Sequence, residues 1–193
     1  MENVYFDNAA TTRLDEDVLK EMLPYLREDY GNASAIYMLG RESRKAIEEA
    51  RERIAKVLNC KPNEIYFTAG GSESDNTAIK GIAHSYKNKG NHIITSKIEH
   101  PAVLETCKEL EKEGFEVSYI SVDENGVIDL EELKKAIKPT TILISVMFAN
   151  NEIGTIEPIK EIGKIAKKNK IYFHTDAVQA VGSIKIDVQD LNI

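Results

Sequence analysis

Thr141-Ile142-Leu143-Ile144-Ser145-Val146-Met147 is almost continuously apolar, the pattern of a strand buried on both faces. Such a strand needs a layer of helices on each side, and the flanking sequence supplies the material. Upstream, Glu116 to Val122 alternates like a strand, and Asp129 to Ile137 has the acidic start of a helix. Downstream, Pro158 to Asn169 reads as helix and Lys170 to Thr175 as strand. Further towards the N-terminus, Glu64 to Thr68 reads as a short strand closed by Gly70-Gly71, and Ser74 to Tyr86 as a helix. His92 to Thr95 is a second strand, and Pro101 to Glu113 a helix with Pro101 in its first turn and Gly114 at its end. Repeated strand–helix–strand units predict an α/β protein, with a mainly parallel sheet flanked by helices.

The first sixty residues differ. Asp15 to Arg27 and Arg41 to Leu58 read as amphipathic helices on either side of the Gly/Asn/Ser segment Asp29 to Gly40. The chain has 193 residues, enough for a sizeable core, with 42% hydrophobic and 30% charged residues. Its 32 acids against 25 bases give a net charge of -7, which argues against a nucleic-acid partner held through phosphates. No apolar run approaches the ~20 residues of a membrane span. Met1-Glu2-Asn3-Val4-Tyr5-Phe6 lacks the basic start and apolar stretch of a signal peptide, so the expected compartment is the cytoplasm. Cys60 and Cys107 have no metal-ligand spacing and read as small buried hydrophobes.

In an open α/β sheet, ligands bind where loops leave the C-terminal ends of strands. Four such loops hold chemically capable residues. Thr68-Ala69-Gly70-Gly71-Ser72-Glu73-Ser74 combines small residues with a helix start, which suits a phosphate but by itself more often marks plain turn chemistry. Lys97-Ile98-Glu99-His100-Pro101 places His100 at a helix start, either as a surface residue or as a stacking or proton-transfer group. Phe148-Ala149-Asn150-Asn151-Glu152-Ile153-Gly154 offers Asn151 as a donor, with an Asx-turn as the alternative. His174-Thr175-Asp176-Ala177-Val178-Gln179 puts Asp176 at the end of an apolar strand, where a carboxylate requires a cationic partner. Gln179, three residues on, falls beside it in a helical turn. His174 and Asp176 also suit a metal, but no third ligand appears at supporting spacing, so no metal is expected.

At these loops the sequence resembles the NifS/IscS-type cysteine desulfurases, among the class V aminotransferase-like, fold-type I pyridoxal-phosphate (PLP) enzymes. The resemblance is carried by Asp7-Asn8-Ala9-Ala10-Thr11-Thr12, Gly31-Asn32, Phe67 to Asn76, Ile93 to Ser96 with Glu99-His100, Asn150 to Gly154, and His174 to Gln179. It runs in order along the whole chain. It implies that Gly71 and Ser72 bind the phosphate, His100 stacks on the pyridine ring as the catalytic histidine, and Asp176 pairs with the ring nitrogen. Gln179 is implied to bond the ring oxygen, and Asn151 that oxygen and the substrate carboxylate. The implied reaction removes sulfur from L-cysteine, leaving alanine and an enzyme persulfide for iron–sulfur cluster or thio-cofactor assembly. A homodimer and a sulfur-acceptor scaffold protein are implied as partners.

In that family the Schiff-base lysine follows a Ser-Gly-His-Lys motif after the Asp-x-x-Gln loop, and a nucleophilic cysteine lies later still. Neither is matched before Ile193, so the expectation is a truncated large domain: residues 1–15 associated with the small domain, residues 16–193 a partial PLP-binding domain. A chain of this extent is expected to be inactive alone, and less stable than a full-length relative or dependent on a partner. Ala33, Ala35 and Tyr37 stand where the family has Pro, Ser and His. Selenocysteine lyase, and a non-catalytic or split-enzyme PLP-binding subunit, are the competing readings.

Overall fold

The computed structural model describes residues 4–193; Met1, Glu2 and Asn3, the start of the expected 1–15 segment, lie outside the described residues. Two strands, β1 (His92–Ser96) and β3 (Thr141–Ser145), are buried along their whole length and form the centre of a parallel sheet. Ile93 pairs with Leu143 and Ile94 with Ile144, after a register irregularity between His92 and Ile93. β2 (Glu116–Ile120) lies along the other side of β1, and β4 (Tyr172–His174) along β3, giving the order β2-β1-β3-β4 with every pair parallel. The α/β expectation holds.

Because side chains alternate across a strand, each central strand feeds two cores. Ile93 and Leu143 pack with Ile79 and Ala83 of α3 (Gly71–Ser85) and with Val103, Cys107 and Leu110 of α4 (Pro101–Lys112). Ile94 and Ile144 pack with Leu133 of α5 (Leu130–Ala136) and with Ile162 and Ala166 of α6 (Ile159–Asn169). Fully burying each such side chain stabilises by about 1.5–3 kcal/mol. A short α7 (Val188–Leu191), capped by Asp187, follows and packs on α6.

One element departs from the sequence reading. Residues 65–68 are not a strand. A strand exists only through its ladder, and none of the described strands flanks this segment; β2 and β4 are the sheet's edges. Helix α3 also begins three residues earlier than the pattern suggests, at Gly71.

The chain divides into two compact units, the first ending at Ile65 and the second spanning Tyr66–Ile193. In the first, Asp15 caps α1 (Glu16–Arg27) by accepting from Asp17 N at 2.8 Å. α2 (Met38–Leu58) ends on Asn59 in the left-handed conformation. The Arg51 side chain donates to the Ile65 carbonyl. Gly31 and Gly40 are required by close approach: a Cβ at either would lie 2.4 Å from a carbonyl oxygen, that of Leu39 or Ala35. No described helix is long and apolar enough to cross a membrane.

Candidate active site

All four strands run the same way, so the loops after β1, β3 and β4 emerge at one end of the sheet. Specific contacts then draw those loops together. Phe148 N donates to the Asp176 carbonyl at 2.7 Å, joining the loops after β3 and β4. Asn150 Nδ2 donates to the Ile98 carbonyl at 2.9 Å, and Met147 N to Glu99 Oε1 at 2.9 Å, joining the loops after β3 and β1. The 68–74 loop meets the β4 loop at Gly71, where a Cβ would lie only 2.6 Å from Val178 Cγ2. The four loops singled out in the sequence therefore form one constellation.

Within it the candidate residues are presented differently. Asp176 is buried, and its Oδ1 accepts from Val178 N at 3.0 Å, a local turn that fixes the carboxylate. No cation pairs with it among the described residues. Gln179 follows in a turn closed by Ala180 N and Val181 N on the Ala177 carbonyl, and its side chain is exposed. His100 caps α4, its Nδ1 accepting from Ala102 N at 3.1 Å, which fixes the ring and leaves its face exposed. Asn151 is half-buried, with Nδ2 3.2 Å from Glu152 Oε1.

The 68–74 loop leads into the start of α3. Gly70 precedes the first residue of a 15-residue helix without a side-chain cap of its own, so the first-turn N–H groups and the helix dipole favour negative charge. Glu73 takes Ala69 N at 2.6 Å, and Thr68 Oγ1 lies 2.7 Å from Ser74 Oγ. Ser72 stays exposed at the helix start.

Several polar residues that hold these loops were not singled out by sequence. Asn150, buried, accepts from Glu152 N and Ile153 N while donating to Ile98; it is the staple, and Asn151 beside it is left at the surface. Two adjacent asparagines are equivalent in a sequence, so only the fold assigns these separate parts. Both ring nitrogens of His174 have protein neighbours: Nδ1 lies 2.9 Å from Ser145 Oγ and Nε2 3.5 Å from Asp75 Oδ1, tying β4 to β3 and to α3. No group of three His, Cys, Asp or Glu suited to a metal occurs among the described residues. Glu99 is buried, and desolvation pushes its carboxyl up to about 8, against the lowering effect of its bonds to Ser96 and Met147. Cys107 is buried and its thiol pushed up to about 12 by desolvation, whereas Cys60 is only half-buried.

Residues 4–193 match the aminotransferase class-V family model. Cysteine desulfurase IscS from Clostridium botulinum is 60% identical over 98% of this chain, which covers 48% of that protein. The Methanosarcina thermophila cysteine desulfurase IscS is likewise 60% identical over 98% of the chain, covering 47% of its own length. The chain thus spans about half the length of the curated relatives it matches. Among solved structures, a NifS-like protein superposes with a TM-score of 0.96 at 46% identity, over 100% of this chain and 53% of its own. SspA in complex with cysteine gives 0.94 at 44% identity, over 98% of this chain and 55% of its own.

Proposed function

Because this chain belongs to the aminotransferase class-V family, we propose that it carries the cofactor pocket of a PLP-dependent cysteine desulfurase, which takes sulfur from L-cysteine and leaves alanine. One observation carries the reading: Asp176 is a buried carboxylate without a cation among the described residues, on a loop bonded to the one after β3 and in contact with the 68–74 loop. A protonated pyridine nitrogen is the partner such a carboxylate lacks, and the open helix start at Gly71 suits a phosphate. The donor set fits the cofactor.

PLP, when bound, supplies an electron sink for the substrate's α-carbon. The chain's own residues do the rest. Asp176 would hold the proton on the ring nitrogen, while the amide groups at Gly71 and Ser72 would take the phosphate. His100 would face the ring and is the candidate for moving protons. Gln179 would donate to the ring oxygen, and Asn151 to that oxygen and the substrate carboxylate. The 60% identity to two cysteine desulfurases supports the reaction, and the 44% identity to a structure holding cysteine supports the substrate. The same reading makes the sulfur product a persulfide destined for iron–sulfur cluster or thio-cofactor assembly. It also includes a cytoplasmic homodimer working with an acceptor scaffold, with residues 1–15 assigned to the small domain and 16–193 to the large one.

The test is PLP titration of the chain followed by absorbance, beside Asp176→Ala. Removing one partner of a buried ion pair costs roughly 3–5 kcal/mol, so Asp176→Ala is expected to lower affinity at least a hundredfold. Equal affinity in the variant refutes the pocket. The absorbance of the bound cofactor is expected to respond to L-cysteine; indifference to it refutes the substrate.

A further inference from the structure

Glu99 precedes His100 and is 4% exposed, yet none of the cofactor contacts proposed above uses it. Its Oε1 accepts two hydrogen bonds, from Ser96 Oγ at 2.6 Å and from Met147 N at 2.9 Å. Its Oε2 is buried with no hydrogen-bond partner among the described residues. The charged groups that bear on its titration are Asp176 after β4 and Glu157 before α6, both acidic; Cys107 on α4 feels it in turn, and His100 is the next residue along the chain. A carboxylate in this position would carry an uncompensated charge, with one oxygen unsolvated and unbonded. A carboxylic acid keeps both accepted bonds and loses the charge, leaving Oε2 as a neutral O–H in place of an ionised oxygen.

The bonds of Glu99 have a structural consequence. Ser96 ends β1 and Met147 leaves β3, so one carboxyl oxygen joins the ends of the two central strands. The next residue is His100, whose ring is fixed by the first turn of α4. The position of His100 thus depends on a segment fixed from both sides, by α4 after it and by Glu99 before it.

We propose that Glu99 is a positioning residue working as the un-ionised acid: it fastens the His100 segment to the exit of β3 without setting a second negative charge beside Asp176. The benefit to Asp176 rests on the cofactor-pocket reading; the fastening and the retained proton do not. Desolvation, the largest influence on its titration, agrees in direction with this assignment.

The primary experiment is an NMR titration of the whole chain carrying carboxyl-13C glutamate, with the Glu99 resonance assigned by its loss in Glu99→Gln. Glu99 is expected to remain in the acid form at pH 6.5; an ionised carboxyl at that pH overturns the proposal. This arm needs no disruptive variant. The second arm compares the imidazole signals of His100 in Glu99→Gln and Glu99→Ala. Gln, neutral and of the same shape, is expected to keep the wild-type His100 signals, and Ala to shift them. If Ala leaves them unchanged, or Gln moves them as far as Ala does, the positioning role fails. In the third arm, PLP affinity of the wild type is expected to change as Glu99 ionises at alkaline pH, with that change absent from Glu99→Gln. Parallel pH profiles overturn the link to Asp176. A wild type that takes no PLP at any pH overturns the cofactor reading instead, and the two NMR arms still decide the role of Glu99.

Discussion

Gly71→Ala tests the contact that holds the phosphate-type turn against the Asp176 loop. A Cβ at position 71 would sit 2.6 Å from Val178 Cγ2, with Val178 Cβ and Cγ1 at 3.9 and 4.0 Å. Carbon atoms pack at about 3.5–4.0 Å, so Val178 must retreat by about 1 Å. Forcing one methyl into such a gap costs about 1–3 kcal/mol. Alanine's better helix propensity returns up to ~1 kcal/mol, less at a first helical position. The net expectation is a loss of about 1–2 kcal/mol. Val178 is itself 60% exposed, so Val178→Ala alone removes little buried surface and costs under ~1 kcal/mol. In the double variant the clash is gone and the helix gain remains. Gly71→Ala/Val178→Ala is therefore expected to be more stable than Gly71→Ala alone, a non-additivity of about 1–2 kcal/mol. Urea midpoints for the four proteins give this coupling directly. Independent sites add within about 0.3–0.5 kcal/mol; additivity at that level would mean that the two loops do not press on each other, and the convergence of the site at Gly71 would be refuted.

Two buried groups give opposite pH dependences. His92 is fully buried, with Nδ1 2.7 Å from Thr141 Oγ1 and Nε2 2.9 Å from Ser118 Oγ; desolvation, then Lys138, lowers its pKa. Its stabilisation is complete above the unfolded value of ~6.5 and is lost as pH falls through the lower folded value. His92→Gln is expected to remove that acid slope from the urea midpoints, and equal slopes disprove it. For Glu99 the folded value is raised to about 8. Its stabilisation is complete below the ordinary carboxylate value and is lost as pH rises from there towards 8, at up to about 1.4 kcal/mol per pH unit; Glu99→Gln should flatten this arm in the same measurement. Gly163→Ala places a Cβ 1.9 Å from the Leu191 carbonyl oxygen, a backbone atom that no side-chain rotation moves. A loss of about 1–3 kcal/mol and faster proteolysis within 187–193 are expected, and an unchanged urea midpoint counts against the α6–α7 packing. At pH 8 iodoacetamide is expected to modify half-buried Cys60 well before buried Cys107, whose thiol is pushed up to about 12; equal rates by mass spectrometry contradict the buried assignment.

How much of this was legible in the sequence depends on which interactions define each feature. β3 was legible because burial on both faces leaves a continuous apolar run, Thr141 to Met147, that needs no knowledge of its neighbours. The strand expected at Glu64 to Thr68 has a comparable local pattern and fails, because a ladder partner is a property of the whole sheet. The same distinction runs through the site. Gly71, Ser72, His100, Asn151, Asp176 and Gln179 lie in loops whose composition marks them, so they were visible as candidates. The residues that bring those loops together were not. Glu99 and Asn150 lie within the quoted motifs but have no assigned role until the ends of β1 and β3 are adjacent, when one accepts from Met147 N and the other reaches the Ile98 carbonyl. His174 looked like a possible ligand, because nothing local places Ser145 and Asp75 at its two nitrogens. Gly71 makes the point most sharply. Its turn suggested a phosphate, a reading from local chemistry, but the demand for a missing Cβ comes from Val178, more than a hundred residues along the chain. Candidate ligand-facing groups are advertised by composition, whereas the groups that hold them in place acquire their meaning only from partners distant in sequence. Substitutions at Glu99, Asn150, His174 and Val178 therefore probe what the motif residues alone cannot: whether the four loops act as one site.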